Sequence, residues 1–220
     1  MLLMPRGTQA AHSPSLWSGL RRSRLGSAAL LFTLLAGIPV RAEFIYRQVN
    51  LAYLTQRADV IVQGRVIGVR YEGLPGYPNV PTVRVTLEVE RMLRGPAVER
   101  YTFREMLRPM DQYRRAGKRG YVAGERLLVF LPAPSEYGLS SPLGREQGRF
   151  HIGRDQRGRE VIANEFQNAG LFKNVPEKAE EQGLSLSEDE LRTASVRQGT
   201  VDLKDFLLLL KSLAKLPRIE

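Results

Sequence analysis

The stretch TVRVTLEVERM at residues 82–92 decides how the rest of the chain is read. Val83, Val85, Leu87 and Val89 alternate with Arg84, Thr86, Glu88 and Glu90. A period of two puts the aliphatic side chains on one face and the polar ones on the other, so this is a strand with one dry and one wet face. Gly95-Pro96 ends it. Upstream, DVIVQGRVIGVRY at 59–71 places Val60, Val62, Gly64, Val66 and Gly68 on one face, against Ile61, Gln63, Arg65 and Ile67 on the other. Two glycines inside such a strand predict a bend or bulge. GLPGYPN at 73–79 reads as a loop between the two strands.

Downstream, VERYTFREM at 98–106 alternates more weakly and reads as a third strand. LLVFL at 127–131, stopped by Pro132, is a continuous apolar run and predicts a strand buried on both faces. Residues 137–143, 148–153 and 159–164 are further short strands between Gly, Pro and Asp turns. Many short strands with turns between them imply a mainly β chain, a small OB-like Greek-key β-barrel.

Helices flank this core. Asn50 as an N-cap with Leu51 and Leu54 spaced i, i+3 predicts a short N-terminal helix ending at Ala58. After Phe172 the chain turns polar, and residues 173–220 read as a linker and a two-helix C-terminal extension to a barrel domain at 43–172. Ser187 with Glu190 is a capping box starting a helix at 188–196. Thr200 or Asp202 starts a second helix through Lys215, stopped by Pro217. Its apolar residues run round the whole helix, which predicts packing on more than one side. Docking on its own domain is one expectation; a partner or self contact through Phe206, Leu207 and Leu210 of helix 202–215 is the other.

Residues 1–42 hold five basic residues (Arg6, Arg21, Arg22, Arg24 and Arg41) and no acidic one. A basic cluster, an uncharged apolar run over 25–40 and Val40-Arg41-Ala42 have the layout of a secretory signal peptide cut after Ala42. The apolar run is shorter than the ~20 residues a membrane-spanning helix needs. The expectation is therefore an exported protein, periplasmic or secreted. Of the +10 net charge, half belongs to this segment and +5 remains. Export argues against a genomic nucleic-acid partner.

The sequence has no cysteine, which excludes disulfides, thiolate catalysis, iron–sulfur clusters and cysteine-based zinc sites. Past residue 42 the only histidine is His151, expected to point outward from a strand. No pattern for a metal, a cofactor or a phosphate cradle is present, since Gly117-Lys118-Arg119-Gly120 lacks P-loop spacing. Glu88 and Glu90 share a wet strand face and read as solvated charges. The most suggestive feature is a basic loop. Arg108, Arg114, Arg115, Lys118 and Arg119 stand against Asp111 alone, with Tyr113 and Tyr121 interleaved. Arg and Tyr together suit a polyanion, and in an exported protein the anions are lipid headgroups, surface polysaccharide or an acidic protein. The alternative is a solvated loop in a chain where 27 of the 33 basic residues are Arg.

Four ordered segments carry a resemblance: ADVIVQGRVIGV at 58–69, TVRVTLEVERMLRG at 82–95, GERLLVFL at 124–131 and QGRFHIGRDQRG at 147–158. Together they resemble a group of uncharacterised exported bacterial proteins with the pattern ADxIVxGxV, VxVExxLKG, GExxLLFL and QGxFxV over residues 50–172. That arrangement is similar to the OB-like netrin-type domain of tissue inhibitors of metalloproteinases. The likeness implies a fold and no activity. In those inhibitors a disulfide-bonded N-terminal cysteine ligates the protease zinc, whereas Glu43 is the expected N-terminus here and cysteine is absent. A barrel core without a convergent set of catalytic residue types leads to the expectation of a non-enzymatic binding module of the bacterial envelope, with an inhibitor or accessory factor of a secreted protease as the alternative.

Overall fold

A computed structural model describes residues 48–107 and 120–219. The expected signal segment and the basic residues from Arg108 to Arg119, Tyr113 among them, lie outside the described residues. The chain is mainly β. Seven strands form one antiparallel sheet: β1 (Val60–Leu74), β2 (Tyr77–Arg94), β3 (Arg100–Met106), β4 (Arg126–Leu131), β5 (Arg149–Arg154), β6 (Glu160–Asn164) and β7 (Val201–Asp202). Their order is β3-β2-β1-β4-β5-β6-β7. The first four strands make a Greek key, because β1 to β3 are consecutive neighbours and β4 returns to the free side of β1.

The sheet curls. Phe103 of β3 and Arg149 of β5 are separated by three strands in the sheet order, yet both reach the ring of Tyr121. Alternation along the strands then sorts the apolar side chains into two cores. The inner core holds Val60, Val62, Val66, Val83, Val85, Leu87, Phe103, Leu127, Val129 and Leu131. The outer core holds Ile61, Leu128, Phe130, Phe150 and Ile162, covered by the helices. Leu127 to Leu131 are all fully buried, so the five-residue apolar run of β4 serves both cores at once, as its composition predicts.

Four helices cover the outer core: α1 (Leu51–Arg57), α2 (Val175–Glu181), α3 (Glu188–Ala194) and α4 (Leu203–Leu213). Asn50 caps α1, its Oδ1 accepting from the Tyr53 backbone N–H at 2.8 Å. The Ser187–Glu190 capping box opens α3, and Asp202 caps α4 by accepting from Lys204 N–H at 2.9 Å. Phe206, Leu209, Leu210 and Leu213 of α4 are fully buried in the outer core. Leu207 is 9% exposed and belongs to the same core, which leaves Leu208 as the large exposed apolar side chain of this helix. The expected partner contact through Phe206, Leu207 and Leu210 is therefore taken up by the chain's own packing.

The structure differs from the sequence reading at four further places. Residues 73–79 belong to a hairpin whose strands run to a two-residue turn, Pro75-Gly76, with Gly76 at φ +80°. Residues 137–143 form turns rather than a strand, because Gly138 adopts φ +72° and Ser135 N–H closes a turn onto Leu139. The polar stretch after Phe172 contains a helix, α2, whose Val175 and Ala179 are buried. Residues 173–219 are not appended to the barrel: β7 pairs with β6, and the three C-terminal helices complete the outer core.

Candidate functional site

Three polar constellations stand out against the two cores. The first closes the inner core. Tyr121 donates its hydroxyl to Glu105 Oε2 at 2.7 Å, and the Arg149 guanidinium carbon lies 4.6 Å from the Tyr121 ring centroid. These side chains link β3 to β5 where no ladder joins the two strands among the described residues. Beside them, Ser140 N–H bonds to Arg104 C=O at 2.8 Å, so the β4–β5 connection also seals the edge of β3. Burial pushes the Glu105 carboxyl above the usual carboxylate range, against the opposing hydrogen bond from Tyr121. Burial likewise pushes the Tyr121 phenol well up, helped by the neighbouring Glu105. Tyr121 is only 7% exposed, so the aromatic expected at the end of the basic loop presents no ring face to a ligand. It is a structural group.

The second constellation is an ionic belt across the outer face. Arg126 of β4 grips Glu90 of β2 with Nε at 2.8 Å and Nη2 at 2.7 Å, and its Nη1 bonds to Glu160 of β6. Gln63 of β1 donates to Glu90 Oε2 at 2.9 Å. The bidentate Arg126 contact holds the Glu90 carboxyl below its ordinary range. Glu90 is thus a tie across strands rather than the solvated charge that its wet position implies. His151 is also tied: its register partner is Leu127 of the inner core, and its Nδ1 lies 3.2 Å from Glu125 Oε2. It is a partly buried residue of the inner face, not the outward-pointing one that alternation with Phe150 and Ile152 implies.

The third constellation lies on the outer face of β1, β2 and β3. The register places Arg70 opposite Arg84 and Arg84 opposite Arg104. Three guanidiniums thus stand in one row across three strands, an arrangement that costs free energy unless a counter-charge is supplied. Glu72 supplies one. Its Oε1 accepts from Arg104 Nη2 at 2.6 Å and lies 3.3 Å from Arg84 Nε, while Oε2 lies 3.4 Å from Arg70 Nε. The hydrogen bond from Arg104 holds Glu72 below the usual carboxylate range, with the charges of Arg84, Arg104 and Arg70 adding to it. Among the described residues, one carboxylate stands against three cations, which leaves the row positive. Arg70 and Arg84 have side chains 72% and 39% exposed, so that charge faces solvent. Arg104 is mostly covered, and its buried Nε has no hydrogen-bond partner among the described residues. Next to the row, Thr86 and Thr102 share a hydroxyl–hydroxyl bond of 3.0 Å.

This row escapes sequence reasoning. Arg84 and Arg104 sit at wet positions of their strands, which is readable, but plain alternation puts Arg70 on the face of Val60, Val62 and Val66, and the turn Leu74-Pro75-Gly76-Tyr77 alone would set it opposite Pro81. An irregularity between Gly73 and Leu74 shifts the ladder by three residues and brings Arg70 to Arg84. No family model and no curated protein matches the chain, so the functional reading rests on these residues.

Proposed function

We propose that the chain is an exported, non-enzymatic binding module that holds an anionic component of the bacterial envelope on the outer face of β1, β2 and β3. The observation that carries this reading is the row Arg70, Arg84 and Arg104, which among the described residues shares a single carboxylate, Glu72. OB-like barrels use the outer face of their second and third strands for extended ligands, and this row crosses those strands. The basic residues Arg108, Arg114, Arg115, Lys118 and Arg119, which follow β3 in the chain, add to its positive charge.

Binding to polyphosphate, measured by titration calorimetry over a salt series, tests the proposal. Affinity falls steeply as salt rises, because neutralised phosphates release counterions. In the double variant Arg70→Glu/Arg84→Glu the affinity drops by about a hundredfold and the salt dependence flattens. Replacing Arg114, Arg115, Lys118 and Arg119 together by Ser lowers affinity further. A polyphosphate affinity unchanged by the double variant overturns the proposal.

A further inference from the structure

We infer that the anionic ligand of the arginine row is an acidic polysaccharide, one sugar ring of which stacks at an exposed tyrosine pair beside the row. This inference rests on the anion-binding reading above and specifies its ligand class.

The tyrosine pair is built by two connections that are far apart in sequence. Tyr77 follows the β1–β2 turn and Tyr137 lies in the β4–β5 connection. Their rings meet edge to face, with centroids 5.7 Å apart and planes at 82°. Both rings are half exposed, at 52% and 50%. Tyr137 lies three residues before Ser140, which is bonded to the Arg104 backbone, so the pair is anchored to the strand that carries one end of the row.

A shallow cleft of about 310 Å³ lies along the β1–β2 hairpin. Pro78, the neighbour of Tyr77, lines one part of it, and Glu72 and Thr82 line another. The cleft depends on Gly73. A Cβ there would stand 2.5 Å from Pro78 O and 2.7 Å from Pro78 Cα, so a side chain at 73 would force the hairpin strands apart. Asn79 adds an amide, both donor and acceptor, to the lining.

The chemistry of this surface matches a sugar better than a nucleic acid. A saccharide presents apolar ring faces that pack on aromatic rings, and hydroxyls that both give and take hydrogen bonds. Glu72 and Asn79 accept from hydroxyls, and Arg84 and Arg70 donate to them and to an acidic substituent. A nucleic-acid backbone offers closely spaced phosphates with few hydroxyls between them, and so few groups that donate to Glu72 and Asn79. Glu72 stays ionised at neutral pH because Arg104 holds its carboxyl below the ordinary range. A carboxylate in the middle of the row therefore selects for a ligand whose negative charges are spaced between hydroxyl groups.

The experiment titrates the full chain with polygalacturonate, heparin, neutral dextran, polyphosphate and a single-stranded oligonucleotide at fixed ionic strength. Tyr77→Ala/Tyr137→Ala is compared with the unaltered protein after matching thermal unfolding confirms that both are folded. The expected result is at least a tenfold loss of affinity for polygalacturonate or heparin in the tyrosine variant, unchanged polyphosphate affinity, and no dextran binding. If neither acidic polysaccharide binds, or if the tyrosine variant binds them as tightly, the saccharide inference falls, while polyphosphate binding that is lost in Arg70→Glu/Arg84→Glu keeps the anion reading. Dextran binding as tight as that of the acidic polymers overturns the role of the arginine row. Oligonucleotide binding that is as tight, and as dependent on the tyrosines, overturns the inference in favour of a nucleic acid. Binding of none of the probes overturns both readings.

Discussion

Arg94, the last residue of β2, binds the C-terminal ends of two helices. Its Nη1 donates to Thr55 C=O and to Ala58 C=O, the latter at 2.9 Å, and its Nη2 donates to Ala214 C=O at 3.2 Å. Helix C-termini leave carbonyls unsatisfied and carry negative partial charge, so one cation serves both α1 and α4. Burial makes that cation less easily held, and its pKa is lowered accordingly. Arg94→Ala is expected to cost about 2–3 kcal/mol, read as a shift in the urea midpoint, because it removes charge-assisted bonds to partly buried carbonyls. Tyr121 gives a pH-dependent counterpart. The folded-state pKa of Glu105 is raised by burial, so its stabilising contribution is present in acid and is lost as pH rises through the folded value. The Tyr121 hydroxyl opposes that loss by donating to the carboxylate. Tyr121→Phe should therefore cost about 1–2 kcal/mol at neutral pH and less in acid, as urea denaturation at two pH values would show.

At the scale of elements, β1 depends on its glycines and α4 on its phenylalanine. A Cβ at Gly64 would stand 2.4 Å from the Glu88 carbonyl oxygen, where β1 and β2 shift register. Gly64→Ala is expected to cost about 1–3 kcal/mol in equilibrium unfolding, the range for forcing atoms into a packed site. Phe206 packs its ring 5.3 Å from that of Phe150 and 6.4 Å from that of Phe172. Phe206→Ala should cost about 3–5 kcal/mol by the same measurement. Much at this scale was readable beforehand, for local reasons. The caps at Asn50, Ser187 and Asp202 act within a few residues of themselves, and alternation from Val83 to Val89 reports one strand's own faces. The unread parts depend on distant residues. The helix α2 has only two buried side chains to announce it, and β7 is two residues that become a strand because β6 offers them an edge. The arginine row needed a register set by irregularities, and the basic loop, the site most evident from composition, lies outside the described residues.

For the whole molecule, the division expected at Phe172 is a change of composition and not a folding boundary. Val175, Ala179, Val201, Leu203 and the buried leucines of α4 all belong to the outer core. A chain cut after Phe172 would leave Ile61, Leu128, Phe130, Phe150 and Ile162 uncovered. Such a fragment should fail to fold, with no dispersed amide spectrum by NMR, where the full chain shows one. The two cores also share a wall. In β4, Leu128 and Phe130 face one compartment while Leu127, Val129 and Leu131 face the other, and in β1 Ile61 and Val62 divide in the same way. Neither compartment can melt while the other keeps its wall intact. A calorimetric scan should therefore show a single heat-absorption peak whose van't Hoff and calorimetric enthalpies agree, and damage at Phe206 should lower the melting temperature of the barrel interior as much as that of the helices.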